Sequence, residues 1–194
     1  MSATVDLYAV NGLQQGGVAP MIGATSIFFT SRSYSDNNSK LAFGGRATIG
    51  NNFIRFGGSA MSGELQPDGA PRRNYSIAGV DVRASCEDLL RLTFEYATRS
   101  EEVPGLAGDN MVYGIVASGE VRVYNCPKMY LFSRYDTLEY RDNLGPDAGV
   151  ERFTWGLNIP TPGGTLLSLN HEHWIFPSPQ EEIDVVGTRW TAAF

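Results

Sequence analysis

Three observations on this chain of 194 residues predict an all-β fold, specifically an antiparallel up-and-down transmembrane β-barrel of about ten strands. Apolar and polar residues alternate strictly over long stretches. Most of these stretches reach or exceed the roughly 9 to 11 residues with which a tilted strand crosses a bilayer, and they are longer than the usual soluble strand of about 5 to 6. The connections between them alternate between short turns and longer polar segments. Composition agrees, with 22 Gly, 9 Tyr and 10 Phe and no helix-forming run of Ala, Leu, Glu and Lys.

Taken in order, strands are predicted near residues 4–11, 39–49, 53–63, 73–84 and 89–99, then 111–124, 128–140, 150–160, 165–176 and 183–194. The fifth sets Leu90, Leu92, Phe94 and Tyr96 opposite Arg91, Thr93, Glu95 and Arg99. In the sixth, Tyr113, Ile115, Ala117, Val121 and Val123 oppose Ser118, Glu120 and Arg122. The eighth is the clearest: Phe153, Trp155, Leu157 and Ile159 share one face, and Arg152, Thr154, Gly156 and Asn158 the other. Short turns fall at Gly50-Asn51-Asn52, Ser85-Cys86-Glu87-Asp88, Asn125-Cys126-Pro127 and Pro162-Gly163-Gly164, all rich in turn formers. The other connections are longer and polar: 12–38, 64–73, 100–110, 141–149 and 177–182. One end of the sheet is thus expected to be tight and the other loopy, the asymmetry of outer-membrane barrels. The whole chain reads as one barrel domain or barrel segment, without a repeat or domain linker.

A net charge of −6 argues against nucleic acid as the partner, which calls for a basic face. No run approaches the ~18 apolar residues of a membrane helix. A barrel is untouched by that test, because its strands alternate lipid-facing and lumen-facing residues. Cys86 and Cys126 fall in two successive turns, two strands and roughly 10 Å apart, beyond an unstrained bridge unless the turns lean together. Whether they pair stays open.

Alternation puts Arg46, Arg55, Arg83, Arg91, Arg99, Arg122, Arg134, Arg152 and Arg189 opposite the apolar face. An Arg facing lipid costs about 2–4 kcal/mol at the midplane, so this register is expected to line an aqueous interior. Asp6, Asp81, Glu95, Glu120, Asp136 and Glu172 share it. Two roles fit and are compatible: an ion-pair lattice that stiffens the wall, and a path for anions lined by more Arg than acid. Tyr96, Tyr113, Tyr135, Phe153 and Trp155 fall on the apolar register, where girdle residues at the membrane interface are expected.

Several segments resemble the C-terminal portion of porins of the phosphate-selective (O/P) type. They are Asp6-Leu7-Tyr8-Ala9-Val10-Asn11-Gly12, Asp36-Asn37-Asn38-Ser39-Lys40 leading to Gly45-Arg46, Ser133-Arg134-Tyr135-Asp136, and the ending Arg189-Trp190-Thr191-Ala192-Ala193-Phe194. Phe194, preceded by Val186, Thr188, Trp190 and Ala192, is similar to the C-terminal signal for outer-membrane insertion, which gives Trp190 and Phe194 that role. The resemblance implies a water-filled channel in a Gram-negative outer membrane. Small polar solutes, anions above all, would diffuse through it passively, without a cofactor. It also implies a barrel of more strands, commonly sixteen, often assembled as a homotrimer among outer-membrane lipids. The absence of a visible leader in Met1–Val5 and the low strand count then make Met1 an internal start. A complete ten-stranded barrel is the alternative.

The sequence leaves two rival functions open. An outer-membrane barrel enzyme needs a catalytic cluster, yet there is no GxSxG turn, and His171 and His173 are the only histidines. In His171-Glu172-His173, Ile175 stands where the second His of HExxH belongs, so a girdle role is favoured over a metal site. The other rival is a soluble lipocalin-like barrel with its apolar register turned inward.

Overall fold

The computed structural model describes residues 1–11, 40–65, 72–102, 109–141, 148–161, 163–177 and 180–192. Ten strands follow one another: β1 (Ser2–Asn11), β2 (Leu41–Gly50), β3 (Ile54–Glu64), β4 (Asn74–Cys86), β5 (Leu90–Glu101), β6 (Asn110–Asn125), β7 (Lys128–Arg141), β8 (Ala148–Thr161), β9 (Thr165–Pro177) and β10 (Gln180–Thr191). They form a single sheet in sequence order, each strand antiparallel to its neighbours. All ten predicted strands are present. The meander is not closed into a barrel: β1 pairs only with β2 and β10 only with β9, so the sheet keeps two open edges.

The turns at one end have the expected local chemistry. Asn51 Oδ1 accepts hydrogen bonds from the amides of Phe53 at 2.8 Å and Ile54 at 2.9 Å, which closes the β2–β3 turn. Gly163 and Gly164 take left-handed conformations between β8 and β9, φ 78° and 75°, which a side chain would strain. Cys86 is the last residue of β4 rather than part of the turn, and both cysteines are free and exposed. At the other end most connecting residues lie outside the described set. The link between β9 and β10 is shorter than expected, because the ladder continues to Gln180↔Pro177 and leaves only residues 178–179 between the strands.

The sheet is one layer: among the described residues, the backbone of each strand lies close only to its immediate neighbours. Its buried apolar core is correspondingly small. Ala42, Leu65 and Tyr75 pack together at the loop end of β2–β4, with Met61 and Ile77 beside them. Most large apolar side chains are exposed, among them Leu7 at 84%, Phe153 at 41% and Trp155 at 47%. No helix among the described residues is long and apolar enough to cross a membrane, which has no bearing on strands.

A charged face, an apolar belt and two free edges

Cross-strand partners share a face, so the ladder assigns every side chain to one side of the sheet. All nine arginines named above fall on the same face. Tyr96, Tyr113, Tyr135, Phe153 and Trp155 all fall on the other. A register shift between Arg122 and Tyr124 ends the alternation of β6, so Val123 does not continue the apolar row as expected.

On the charged face the ladder builds ion pairs. Arg46 reaches Asp81 at 2.5 Å, and Arg83 lies 3.7 Å from Asp81 and 3.4 Å from Glu95. Arg91 pairs with Glu120 at 3.1 Å, and Glu120 also accepts from Asn158 Nδ2 at 2.8 Å. Asp136 accepts from Arg134 at 2.7 Å and Arg152 at 2.9 Å. Arg152 continues to Glu172 at 3.5 Å and lies 4.6 Å above the Trp174 ring, a cation–π contact. Arg99 pairs with Glu101. In the β4–β5 turn, Asp88 holds Arg122 at 2.5 Å and Lys128 at 2.7 Å. The Lys128 hydrogen bond is the main cause that keeps the Asp88 carboxyl below its ordinary range, against a smaller opposing effect of burial.

Sequence reasoning missed part of this set. The ladder adds Glu101, opposite Tyr75, and Glu181, opposite Phe176, to the charged face. Among the described residues the ladder then gives this face nine arginines and eight carboxylates, and Arg73, just before β4, also binds Glu101, so the expected excess of Arg narrows. Among the described residues, no ion pair is made by Arg55, Arg189 or Asp6. Arg55 sits directly opposite Arg83, two like charges on adjacent strands.

Gly57 was not singled out by the sequence, yet the Arg46–Asp81 pair depends on it. A Cβ there would overlap the Asp81 carboxylate and come within 2.7 Å of Arg46 Nη2. Asp81 is only 6% exposed, so it has little room to yield. Gly57→Ala is therefore expected to separate the pair and lower stability by about 1–3 kcal/mol, measured as a shift in the urea midpoint. Gly58→Ala, where a Cβ meets nothing closer than 3.9 Å, serves as the near-neutral comparison.

The other face carries a belt of apolar side chains bordered by polar ones. Tyr135 packs on Phe153 with ring centroids 4.7 Å apart, and its hydroxyl donates to Glu151 at 3.2 Å. The Tyr113 hydroxyl donates to Glu139 and accepts from Arg141 Nη2 at 3.1 Å. Asp184 Oδ1 lies 3.1 Å from His171 Nε2 and 3.0 Å from His173 Nδ1, and His171 stacks beside Trp155 at 4.4 Å. Tyr113 and Tyr135 thus join the apolar belt with their rings and charged groups with their hydroxyls. Among the described residues, no group of three His, Cys, Asp or Glu is placed to hold a metal ion. Trp190 is exposed on the apolar face, and Phe194 lies outside the described residues.

The belt runs obliquely to the ladder. Ala3 is the turn-end limit of the apolar row Ala3, Val5, Leu7 and Ala9 in β1. The ladder from Ala3 passes through Ile49, Phe56, Val82, Phe94, Ala117 and Tyr135 to Phe153, which is the loop-end limit of the β8 row. Over seven interstrand steps the belt therefore slides by its own width. Six residues at ~3.3 Å across seven steps of ~4.8 Å tilt the strands ~30° from the belt's normal.

The chain matches no family model, no curated protein and no solved structure.

Proposed function

We propose that this sheet is the wall of an outer-membrane β-barrel of the porin type, curled so that the charged face encloses a water-filled path for small polar solutes. The oblique belt is the observation that carries the reading. A membrane imposes a flat apolar slab, and strands that cross it at a tilt must shift their apolar residues steadily from one strand to the next. The ~30° found here is close to the roughly 35–45° at which barrel strands lean. An apolar face this large, left uncovered by a second layer, also calls for lipid or protein against it. Tyr113 and Tyr135, with their hydroxyls turned to charged residues, suit the headgroup level. Outer-membrane lipids are then the main partner, with trimeric assembly an additional proposal.

The nearly balanced charges support a lattice that stiffens the wall, together with a weak anion preference from arginines left unpaired, Arg55 foremost. A soluble lipocalin-like barrel would bury Phe153, Trp155 and Leu157, yet Phe153 and Trp155 are 41% and 47% exposed. Purified protein added to planar bilayers tests the proposal. Stepwise ohmic conductance, together with flotation on lipid vesicles, is the expected result. Full solubility without detergent and no affinity for vesicles would point to the soluble rival.

A further inference from the structure

We infer that Trp174, Phe176, Arg152 and Glu172 form a subsite for a neutral carbohydrate on the charged face, at the loop end of β8 and β9. The inference rests on the channel reading and names the class of solute that the wall holds on its way through.

Two large aromatic rings in a charged row call for a reason. Trp174 lies directly opposite Arg152, and Phe176 opposite Glu181, so both belong to the face that carries the arginines. Tyr75 and Phe132 share that face, and packing accounts for them. Tyr75 covers Gly63 and Phe132 covers Gly156, where a Cβ would collide with the ring, so each lies down on bare backbone. Trp174 has Arg152 on one side and Ile183 on the other, and therefore stands among side chains instead. Trp174 and Phe176 are both half-buried, with their rings within 7° of parallel and centroids 6.3 Å apart. The pair keeps apolar ring surface on the side that faces water.

Polar groups converge on these rings. Glu172 accepts from Trp174 Nε1 at 3.1 Å, Asn170 Nδ2 at 2.9 Å and Arg152 Nη1 at 3.5 Å. Arg152, over the Trp174 ring, also binds Asp136, which Arg134 holds from the other side. Two arginines thus face two carboxylates, and Glu181 beside Phe176 adds a further acid. A free anion is repelled by this set, and a cation meets Arg152 on the ring. A sugar suits every part of it. The C–H face of a pyranose packs on an aromatic ring, while its hydroxyls donate to carboxylates and accept from guanidinium N–H groups. Such bonds to charged partners are the stronger kind. The lattice also holds these side chains in place before the sugar arrives, which lowers the ordering cost of binding.

The test uses the full chain with Trp155→Phe and Trp190→Phe, purified in detergent, so that Trp174 is the only tryptophan. Cellotriose should change its emission saturably. Sorbitol, which has the hydroxyls but no ring face, and sodium phosphate should not. Phe176→Leu, which keeps an apolar group and removes the flat ring, should raise the half-saturating concentration by about three- to tenfold. Glu172→Gln should raise it by at least about threefold. No saturable change with cellotriose, an equal change with sorbitol, a response to phosphate in its place, or a half-saturation unmoved by both variants would each overturn the inference. Planar-bilayer conductance of the wild-type chain separates this result from the channel reading. Sugar binding by protein that does not conduct keeps the subsite and removes the channel. Conductance that ignores cellotriose, with no change in emission, keeps the channel and removes the subsite.

Discussion

Replacing Arg91, Arg122 and Arg134 together with Glu should move the reversal potential, measured in a salt gradient across a planar bilayer, strongly toward cations. These arginines are bound to Glu120, Asp88 and Asp136. Reversing them removes three positive charges, adds three negative ones and leaves Glu120 without its ion pair, while Asp88 keeps Lys128 and Asp136 keeps Arg152. In a narrow low-dielectric wall such a change dominates the local potential. The effect should be greatest near 0.1 M salt, where screening extends over about 10 Å, and weak near 1 M, where it falls to about 3 Å. The companion triple Gln variant separates selectivity from folding, since exposed ion pairs are worth only about 0–1 kcal/mol each. It should conduct with a smaller shift in the same direction. An unchanged reversal potential in the Glu variant would mean that these arginines only brace the sheet, and the selectivity proposal would fall while the barrel stood.

The second large effect concerns the two faces. Leu157→Arg puts a guanidinium on the apolar belt between Leu131 and Leu169. Val116→Arg puts the same group on the charged face between Glu95 and Asp136. In vesicles Leu157→Arg should lose about 2–4 kcal/mol of folding free energy, whereas Val116→Arg, flanked by carboxylates, should lose little. Urea titration of vesicle-folded protein measures both. Equal losses would mean that the faces do not differ in their surroundings.

The ten strands were legible because alternation survives along each of them, and the ladder confirms which residues share a face. Their ends were less so. The stretch from Gln180 to Glu182 is polar on both faces and offers no alternation, yet backbone pairing with β9 continues through it. The same omission explains the miscounted charge: Glu101 and Glu181 lie in strand extensions that the pattern did not reach. The bulge after Arg122 left no mark in the sequence either, since Val123 and Tyr124 are both apolar enough for the belt. Partner choice was out of reach for a different reason. That Asp136 holds both Arg134 and Arg152, or that Gly57 makes room for Arg46 and Asp81, depends on register, which only cross-strand pairing fixes. The open edges were equally invisible, because a local period carries no information about closure.

The three tryptophans offer the most direct test of which face meets lipid. Trp155 and Trp190 lie on the apolar face, and Trp174 lies on the charged face over Arg152. Three variants that each keep a single tryptophan, the others replaced by Phe, would be folded into vesicles whose lipids are brominated on the acyl chains. Bromine quenches only at close contact, so emission from Trp155 and Trp190 should fall steeply while Trp174 stays bright and responds instead to an aqueous quencher. Strong quenching of Trp174 by the brominated chains, or none of Trp155, would contradict the assignment of the apolar face to the membrane.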